Sequence, residues 1–305
     1  LKIGLVLPGG GGKGAYQIGV IKALNQLGIN KYIDVVSGTS IGALNALLFV
    51  QGDLKVAEEI WENISLEKIL PTDNFDLMKK GLLFSLGAKN LSFIKKYMPN
   101  KLQHGNLSRE GLLEIINNHL DLNKIKSKNI PCYATCTDIE TFKVKYFNYL
   151  DYDEETIKKI LLATSALPII YEPEKVESRK YLDGALVDNI PIQPVYDEGC
   201  DIIIVAHLSR EMTINRSEFP RAKIIEIFPS YMEEGVLKGT FNFNTQSIKE
   251  RIYRGEEDTK NILEPILEIA LFINKKEHNV QNRYIWFNDI KKLFNHHLAL
   301  KNKIK

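Results

Sequence analysis

The chain of 305 residues lacks any apolar run near the roughly eighteen residues that a helix needs to cross a bilayer, so no transmembrane segment is expected. Cysteine is scarce: Cys132, Cys136 and Cys200 lie in or beside apolar runs, their spacing suits no metal, and they read as buried thiols in a reducing compartment. H-x-x-x-H, C-x-x-C and EF-hand patterns are all missing, which leaves no expectation of a metal or of an organic cofactor. Neither charge is in excess. The 40 Lys and Arg stand against 38 Asp and Glu, and a formal +2 gives no reason to expect a nucleic-acid partner. No internal repeat or low-complexity tract occurs, and nothing specifies an oligomeric state. No signal peptide is visible ahead of the strand-like residues 2–7, so the expectation is a cytoplasmic protein, peripheral to a membrane at most.

With 44% hydrophobic residues the chain can bury one large core and carry an extension. Strand-like apolar runs at 2–7, 32–36, 130–137, 201–206 and 222–228 alternate with helix-like segments, the pattern of a sheet covered by helices on both faces. The expected fold is α/β, three-layered, with a mostly parallel central sheet over residues 1–228. Residues 65–128 read as an inserted cap or lid, in which 81–87 and 93–98 are apolar among Lys79, Lys80, Lys89, Lys95, Lys96 and Lys101. Such a segment either packs its apolar face on the core or meets an anionic lipid interface. Residues 229–305 read as a helical C-terminal extension.

Two glycine-framed elements carry chemistry. Gly38-Thr39-Ser40-Ile41-Gly42 is a G-x-S-x-G frame between an apolar strand-like run and a helix-like one, the strand, sharp turn and helix of a nucleophile elbow. Glycine is needed at both flanks because a Cβ there would collide with the neighbouring strand or helix. Ser40 is then pushed outward at a helix N-terminus, whose free N–H groups favour developing negative charge. Alone, the frame also describes an ordinary glycine-rich turn.

Upstream, Gly9-Gly10-Gly11-Gly12-Lys13-Gly14 follows residues 2–7 and opens a segment with Ile18, Ile21 and Leu24 at helical spacing, a bare-backbone anion site. Three uses compete for it. Dinucleotide binding wants an acidic residue ending the second strand, but Asp34 begins its strand. A P-loop wants Ser or Thr after the lysine, whereas Gly14 follows Lys13. The third use is an oxyanion hole, in which one donor is worth about 2.7–4 kcal/mol of barrier. Only this one also employs Ser40.

A serine hydroxyl needs a base. His104, His119, His278, His296 and His297 lie in polar surroundings and read as solvated. His207 closes the run 201–206, where a sheet's carboxyl edge would lie, but a structural role is preferred for it. Residues 181–191 offer a better base: Asp183 stands beside Gly184 and Ala185 at the end of a short apolar stretch, where it can face a cleft. The competing reading is an Asp-Gly hairpin turn.

In this order and at these intervals the three elements resemble the patatin-like phospholipase family, whose pattern G-G-G-x-[K/R]-G, G-x-S-x-G and D-G-[A/G] is matched by residues 9–14, 38–42 and 183–185. The resemblance runs on through 133–138, 161–168 and 189–191, and covers roughly residues 1–210. Pro8, Lys13 and Phe142 depart mildly from the usual residues. The resemblance implies a patatin-like fold and a Ser-Asp dyad, with Ser40 as nucleophile and Asp183 as proton acceptor. It also implies Gly10 and Gly11 as oxyanion donors, framed by Gly9, Gly12, Lys13, Gly14, Gly38, Gly42, Gly184 and Ala185. Asp138 and Asp188 are then left to fix loops. The implied activity is hydrolysis of lipid acyl esters, of phospholipase A or lysophospholipase type, on a lipid or membrane-interface substrate. A general carboxylesterase, an acyltransferase and a non-catalytic lipid-binding module are the alternatives.

Overall fold

A computed structural model describes residues 1–69, 107–168, 170–232 and 239–301, with 274–301 as backbone only. The apolar cap stretches 81–87 and 93–98, with their six lysines, lie outside the described residues. Largely buried runs rich in Val, Ile and Leu make four of the five parallel strands, as a sheet covered on both faces favours, and the fifth, Cys132–Asp138, is built mainly of Cys, Thr, Ala and Tyr. Strand β1 (Ile3–Leu7) pairs in parallel with β2 (Ile33–Thr39) and with β7 (Ile202–Ala206). Outside these, β3 (Cys132–Asp138) pairs with β2 and β8 (Lys223–Ile227) with β7, both in parallel. On the β3 side, β4 (Val144–Asn148), β5 (Glu174–Val176) and β6 (Arg179–Asp183) are antiparallel, and the order is β5-β6-β3-β2-β1-β7-β8 with β4 also on β3.

The helices are α1 (Ala15–Gln26), α2 (Ile41–Gln51), α3 (Leu54–Asn63), α4 (Leu66–Ile69), α5 (Glu110–His119), α6 (Leu122–Ser127), α7 (Glu154–Thr164), α8 (Ile192–Asp197) and α9 (Thr245–Lys301). Asp53, Asp121 and Asp153 cap α3, α6 and α7 by accepting the N–H of Val56, Lys124 and Thr156, each cap worth about 1 kcal/mol. Val6, Val35, Ile203 and Val205 pack with Ile192 and Val195 of α8 on one face of the sheet. Alternation turns Leu5, Leu7, Val36 and Ile204 to the other face, also buried, where α2 lies across β1, β2 and β3. The fold is the expected three-layered α/β one. At Phe142, the departure noted above, the β3–β4 turn takes φ 52, and burial of the ring among Ile170, Leu182 and Phe241 offsets that strain.

Two compact units divide at Thr259 and Lys260, whereas the sequence placed the start of the extension at residue 229. Residues 239–259 therefore pack inside the first unit. Two helical glycines explain it: a Cβ at Gly19 of α1 would meet the Ile252 carbonyl, and one at Gly255 of α9 the Tyr16 carbonyl, so only bare backbone lets these helices touch. Tyr16 also donates to Asp258 at 3.0 Å, and the buried Arg251 donates to the carbonyls of Asn242 and Gly239 at 2.6 and 3.2 Å. In the second unit α9 continues with Ile266, Ile269, Leu271 and Ile273 exposed. Among the described residues no helix is long and apolar enough to cross a membrane.

Candidate active site

Strand register brings the three motifs together. Leu7 pairs with Gly38, so the residues after β1 stand level with those after β2, and a Cβ on Gly9 would lie 3.1 Å from Ser40 Cβ. Along one edge of β3 the partner is β2 as far as Thr39 opposite Thr135, and then β6 beginning with Asp183 opposite Cys136. The other edge belongs to β4. Thr39 and Asp183 thus oppose adjacent residues of β3, and Ser40 follows Thr39.

Ser40 has φ 55 and ψ −125, a conformation that costs a residue with a Cβ about 1–3 kcal/mol and persists only where the surroundings impose it. A Cβ at Gly38 would strike the Gly42 carbonyl, and one at Gly42 the Leu7 carbonyl, which is the collision expected for such an elbow. A side chain also holds the turn. The buried Thr164 hydroxyl accepts the Ser40 N–H at 2.9 Å and donates to the Thr135 carbonyl at 2.6 Å.

The glycine loop passes from Gly10 into a 3₁₀ turn, Gly11–Gly14, and straight into α1. A buried polar network braces it from behind. Gln17 donates to the Pro8 carbonyl at 2.8 Å, Asn45 to the Gly14 carbonyl at 3.0 Å and to Gln17 at 2.8 Å, and the Trp61 indole to Asn45 at 3.0 Å. Gly9 N–H is taken by Asn189, whereas the Gly10 and Gly11 N–H groups, at the open end of the turn, bond to no acceptor among the described residues. Both glycines line the cleft that holds Ser40 and Asp183. Lys13 sits half-buried within the turn.

Asp183 is fully buried. Burial pushes its carboxyl up to about 7, against the pull of the Ala185 N–H and then of the Ser40 hydroxyl. Oδ1 accepts the Ala185 N–H at 2.9 Å, while Oδ2 has no partner in full hydrogen-bond geometry among the described residues. The Ser40 contact is therefore a loose one. Gly184 and Ala185 form the 3₁₀ turn after β6, so Asp183 ends a strand inside a sheet and is not part of a tight two-residue hairpin.

The cleft above is apolar, with Leu44, Leu112, Ile116, Leu161, Phe241 and Phe243 among its walls. Ile69, Arg109, Leu112 and Ile116 come from the described flanks of the 65–128 insertion. Arg109 is committed to its surroundings: it donates to the Leu162 and Glu172 carbonyls, pairs with Glu174 at 3.2 Å and lies over the Tyr171 ring. Thr240, Phe241 and Phe243 reach the cleft from the chain just before α9. Sequence reasoning gave no role to Thr164, Asn189 or residues 240–243. Thr164 and Asn189 lie in stretches of family resemblance, but a hydroxyl or amide that bonds backbone far along the chain has no periodic signature.

The rival acids serve loops. Asp138 pairs with Arg179 at 2.7 Å and accepts the Glu140 and Thr141 N–H groups; Asp188 accepts the Tyr146 hydroxyl at 2.6 Å and the Ile190 N–H at 3.1 Å. Cys132, Cys136 and Cys200 are buried free thiols, pushed up by desolvation and so kept protonated. Among the described residues no three His, Cys, Asp or Glu side chains group as a metal site.

Against the sequence of this chain, the family profile described as patatin-like phospholipase matches residues 5–196. The chain belongs to that family. A lysophospholipase of Aspergillus terreus is 25% identical over 66% of this chain and 11% of its own length. Patatin-like phospholipase domain-containing protein 7 of Rattus norvegicus is 24% identical over 69% of this chain and 14% of its own length. An uncharacterized NTE family protein of Mycobacterium bovis is 25% identical over 68% and 49%. This chain thus spans half or less of the length of these relatives. In fold it is similar to VipD from Legionella pneumophila, with a TM-score of 0.53, 17% identity and coverage of 87% of this chain and 67% of that one.

In this patatin-like protein His207 lies outside the cleft lining. It is 1% exposed, its Nε2 stands 3.0 Å from Glu226 Oε2, and its ring stacks on Phe228 at 4.2 Å. Burial holds the imidazole below its usual pKa against the pull of Glu226. His207→Gln is expected to lower the melting temperature, through lost stacking worth about 0.5–1.5 kcal/mol, and to keep ester turnover within about threefold. Thermal unfolding and an ester assay on the same preparation check this. Collapse of turnover in a folded His207→Gln variant would call for a triad.

Proposed function

We propose that this protein is a serine acyl hydrolase of lipid esters, of phospholipase A or lysophospholipase type, with Ser40 as nucleophile and Asp183 as base. One juxtaposition carries the reading: a half-buried serine held at φ 55 beside a buried carboxyl of pKa about 7, both on the floor of an apolar cleft. A carboxylate poised near neutrality can take a proton in the transition state, as an ordinary one near 4 cannot do well. Asp183 takes the Oγ proton as Oγ attacks the ester carbonyl carbon, and the carbonyl oxygen becomes an oxyanion facing the Gly10 and Gly11 N–H groups. Collapse breaks the ester bond, and the leaving alcohol takes the proton from Asp183. Water, giving its proton to Asp183, then attacks the acyl-Ser40 carbonyl. Release of the fatty acid returns the proton to Ser40.

Family membership and the lysophospholipase relative support a lipid ester as substrate. The apolar walls suit an acyl chain, and the described flanks of the 65–128 insertion, read here as a cap, contribute Ile69, Leu112 and Ile116 to them. The first compact unit, residues 1–259, is the catalytic domain in this reading, because residues 240–243 wall the cleft, and it works at a lipid surface. The test is fatty-acid release from vesicles of phospholipids, lysophospholipids and neutral glycerides by wild type and Ser40→Ala. Release by wild type alone is expected. No release from any acyl ester, or equal release by both proteins, contradicts the proposal.

A further inference from the structure

Asn189 grips Gly9 with both ends of its amide. Oδ1 accepts the Gly9 N–H at 3.1 Å and Nδ2 donates to the Gly9 carbonyl at 3.1 Å, while Nδ2 also reaches Met212 Sδ at 3.6 Å. Those partners fix the amide's orientation, because a flipped amide would set donor against donor at Gly9. The segment carrying Asn189 is pinned in turn to β2. Thr39 Oγ1 donates to the Asp188 carbonyl at 3.1 Å, and Ser37 Oγ to the Pro191 carbonyl at 2.6 Å. Asn189 therefore registers the glycine loop against the strand that ends at Ser40, across 180 positions of sequence.

The physical need for such a clamp is specific. Four successive glycines have the widest backbone freedom of any sequence, and an oxyanion donor lowers a barrier only when it is already held where charge will develop. The network of Gln17, Asn45 and Trp61 fixes the loop at Pro8 and Gly14, on either side of the donors. Asn189 fixes it at Gly9, next to Gly10 and Gly11, and it lines the same cleft as Ser40. Resting on the hydrolase reading above, we propose that Asn189 is a positioning residue that holds the Gly10 and Gly11 N–H groups for the oxyanion. It acts through Gly9, and it serves turnover rather than substrate binding.

Asn189→Ala and Asn189→Asp test this in the full chain. The aspartate keeps an acceptor for Gly9 N–H, loses the donor and sets a negative charge against the Gly9 carbonyl. Steady-state kinetics on the best ester would be read with two ligands of one acyl chain: a trifluoromethyl ketone, which Ser40 Oγ converts to a tetrahedral oxyanion, and a plain methyl ketone, which binds without addition. Both variants are expected to lose about 10²-fold or more in kcat, with KM and methyl ketone affinity within about threefold. Trifluoromethyl ketone affinity should fall by the same factor as kcat/KM. Should Asn189→Ala not fold, the nearly isosteric Asn189→Asp carries the comparison. A kcat within about threefold of wild type, or a methyl ketone affinity that falls as far as kcat, overturns the positioning role. A wild type with neither turnover nor ketone adduct overturns the hydrolase reading itself.

Discussion

Asp183→Asn is expected to abolish turnover, by roughly 10⁴-fold or more, and at the same time to make the protein more stable at pH 8. Activity is lost because the amide cannot accept the Ser40 proton. Stability rises for a separate reason. The Asp183 carboxyl titrates near 7 when folded and near 3.9 when unfolded, so between those values the folded state holds a proton that the unfolded chain has released. The contribution to stability is full below about pH 4, declines as pH rises and is gone above about pH 7, where the buried carboxylate has to be charged. Asparagine removes that penalty, on the order of 4 kcal/mol, and its Oδ1 can still accept the Ala185 N–H. Melting temperatures of wild type and variant at pH 5 and pH 8 check this: the variant's advantage should be small at the first and large at the second. Wild-type kcat/KM should fall with pH below about 7, nearing tenfold per unit. An Asp183→Asn variant with near-wild-type turnover, beside an inactive Asp138→Asn or Asp188→Asn, would move the base elsewhere.

Replacing Ser40 separates chemistry from strain in the same way. Ser40→Ala should lose all measurable ester hydrolysis and keep the stability of wild type, since it deletes one half-buried oxygen and leaves a Cβ at φ 55. Ser40→Gly should be equally inactive but more stable by about 1 kcal/mol, because glycine accepts positive φ without a Cβ clash. Denaturant unfolding of the three proteins separates these outcomes. If glycine and alanine prove equally stable, the elbow is not strained.

Why the site was legible in part is clear from particular residues. Ser40, Gly38 and Gly42 announce themselves because a reversal this tight admits only glycine on its flanks, a steric demand written into adjacent positions. The parallel strands could be read from their apolar runs, and β2 gave way to α2 at the predicted place. What joins Ser40 to Asp183 is the handover from β2 to β6 along one edge of β3, a long-range pairing with no local trace. Family resemblance supplied that link; spacing could not. Asn189 and Thr164 stayed without a role for the same reason, since each acts on backbone far away in sequence. The limit of the first compact unit at Thr259 rests on Gly19 meeting α9 and Gly255 meeting α1, and one glycine inside each helical pattern is too weak a mark to reveal a helix crossing.

The most direct test of the central claim, that Asp183 activates Ser40 for acyl transfer, is the rate and site of covalent labelling by a fluorophosphonate. Intact mass and peptide mapping would be followed from pH 5 to pH 9. The account predicts a single adduct on Ser40, with a rate that rises with pH to a plateau and is half-maximal near pH 7, and with no adduct in Asp183→Asn over the same time. Labelling at another serine, or a Ser40 rate in Asp183→Asn equal to that of wild type, would contradict it.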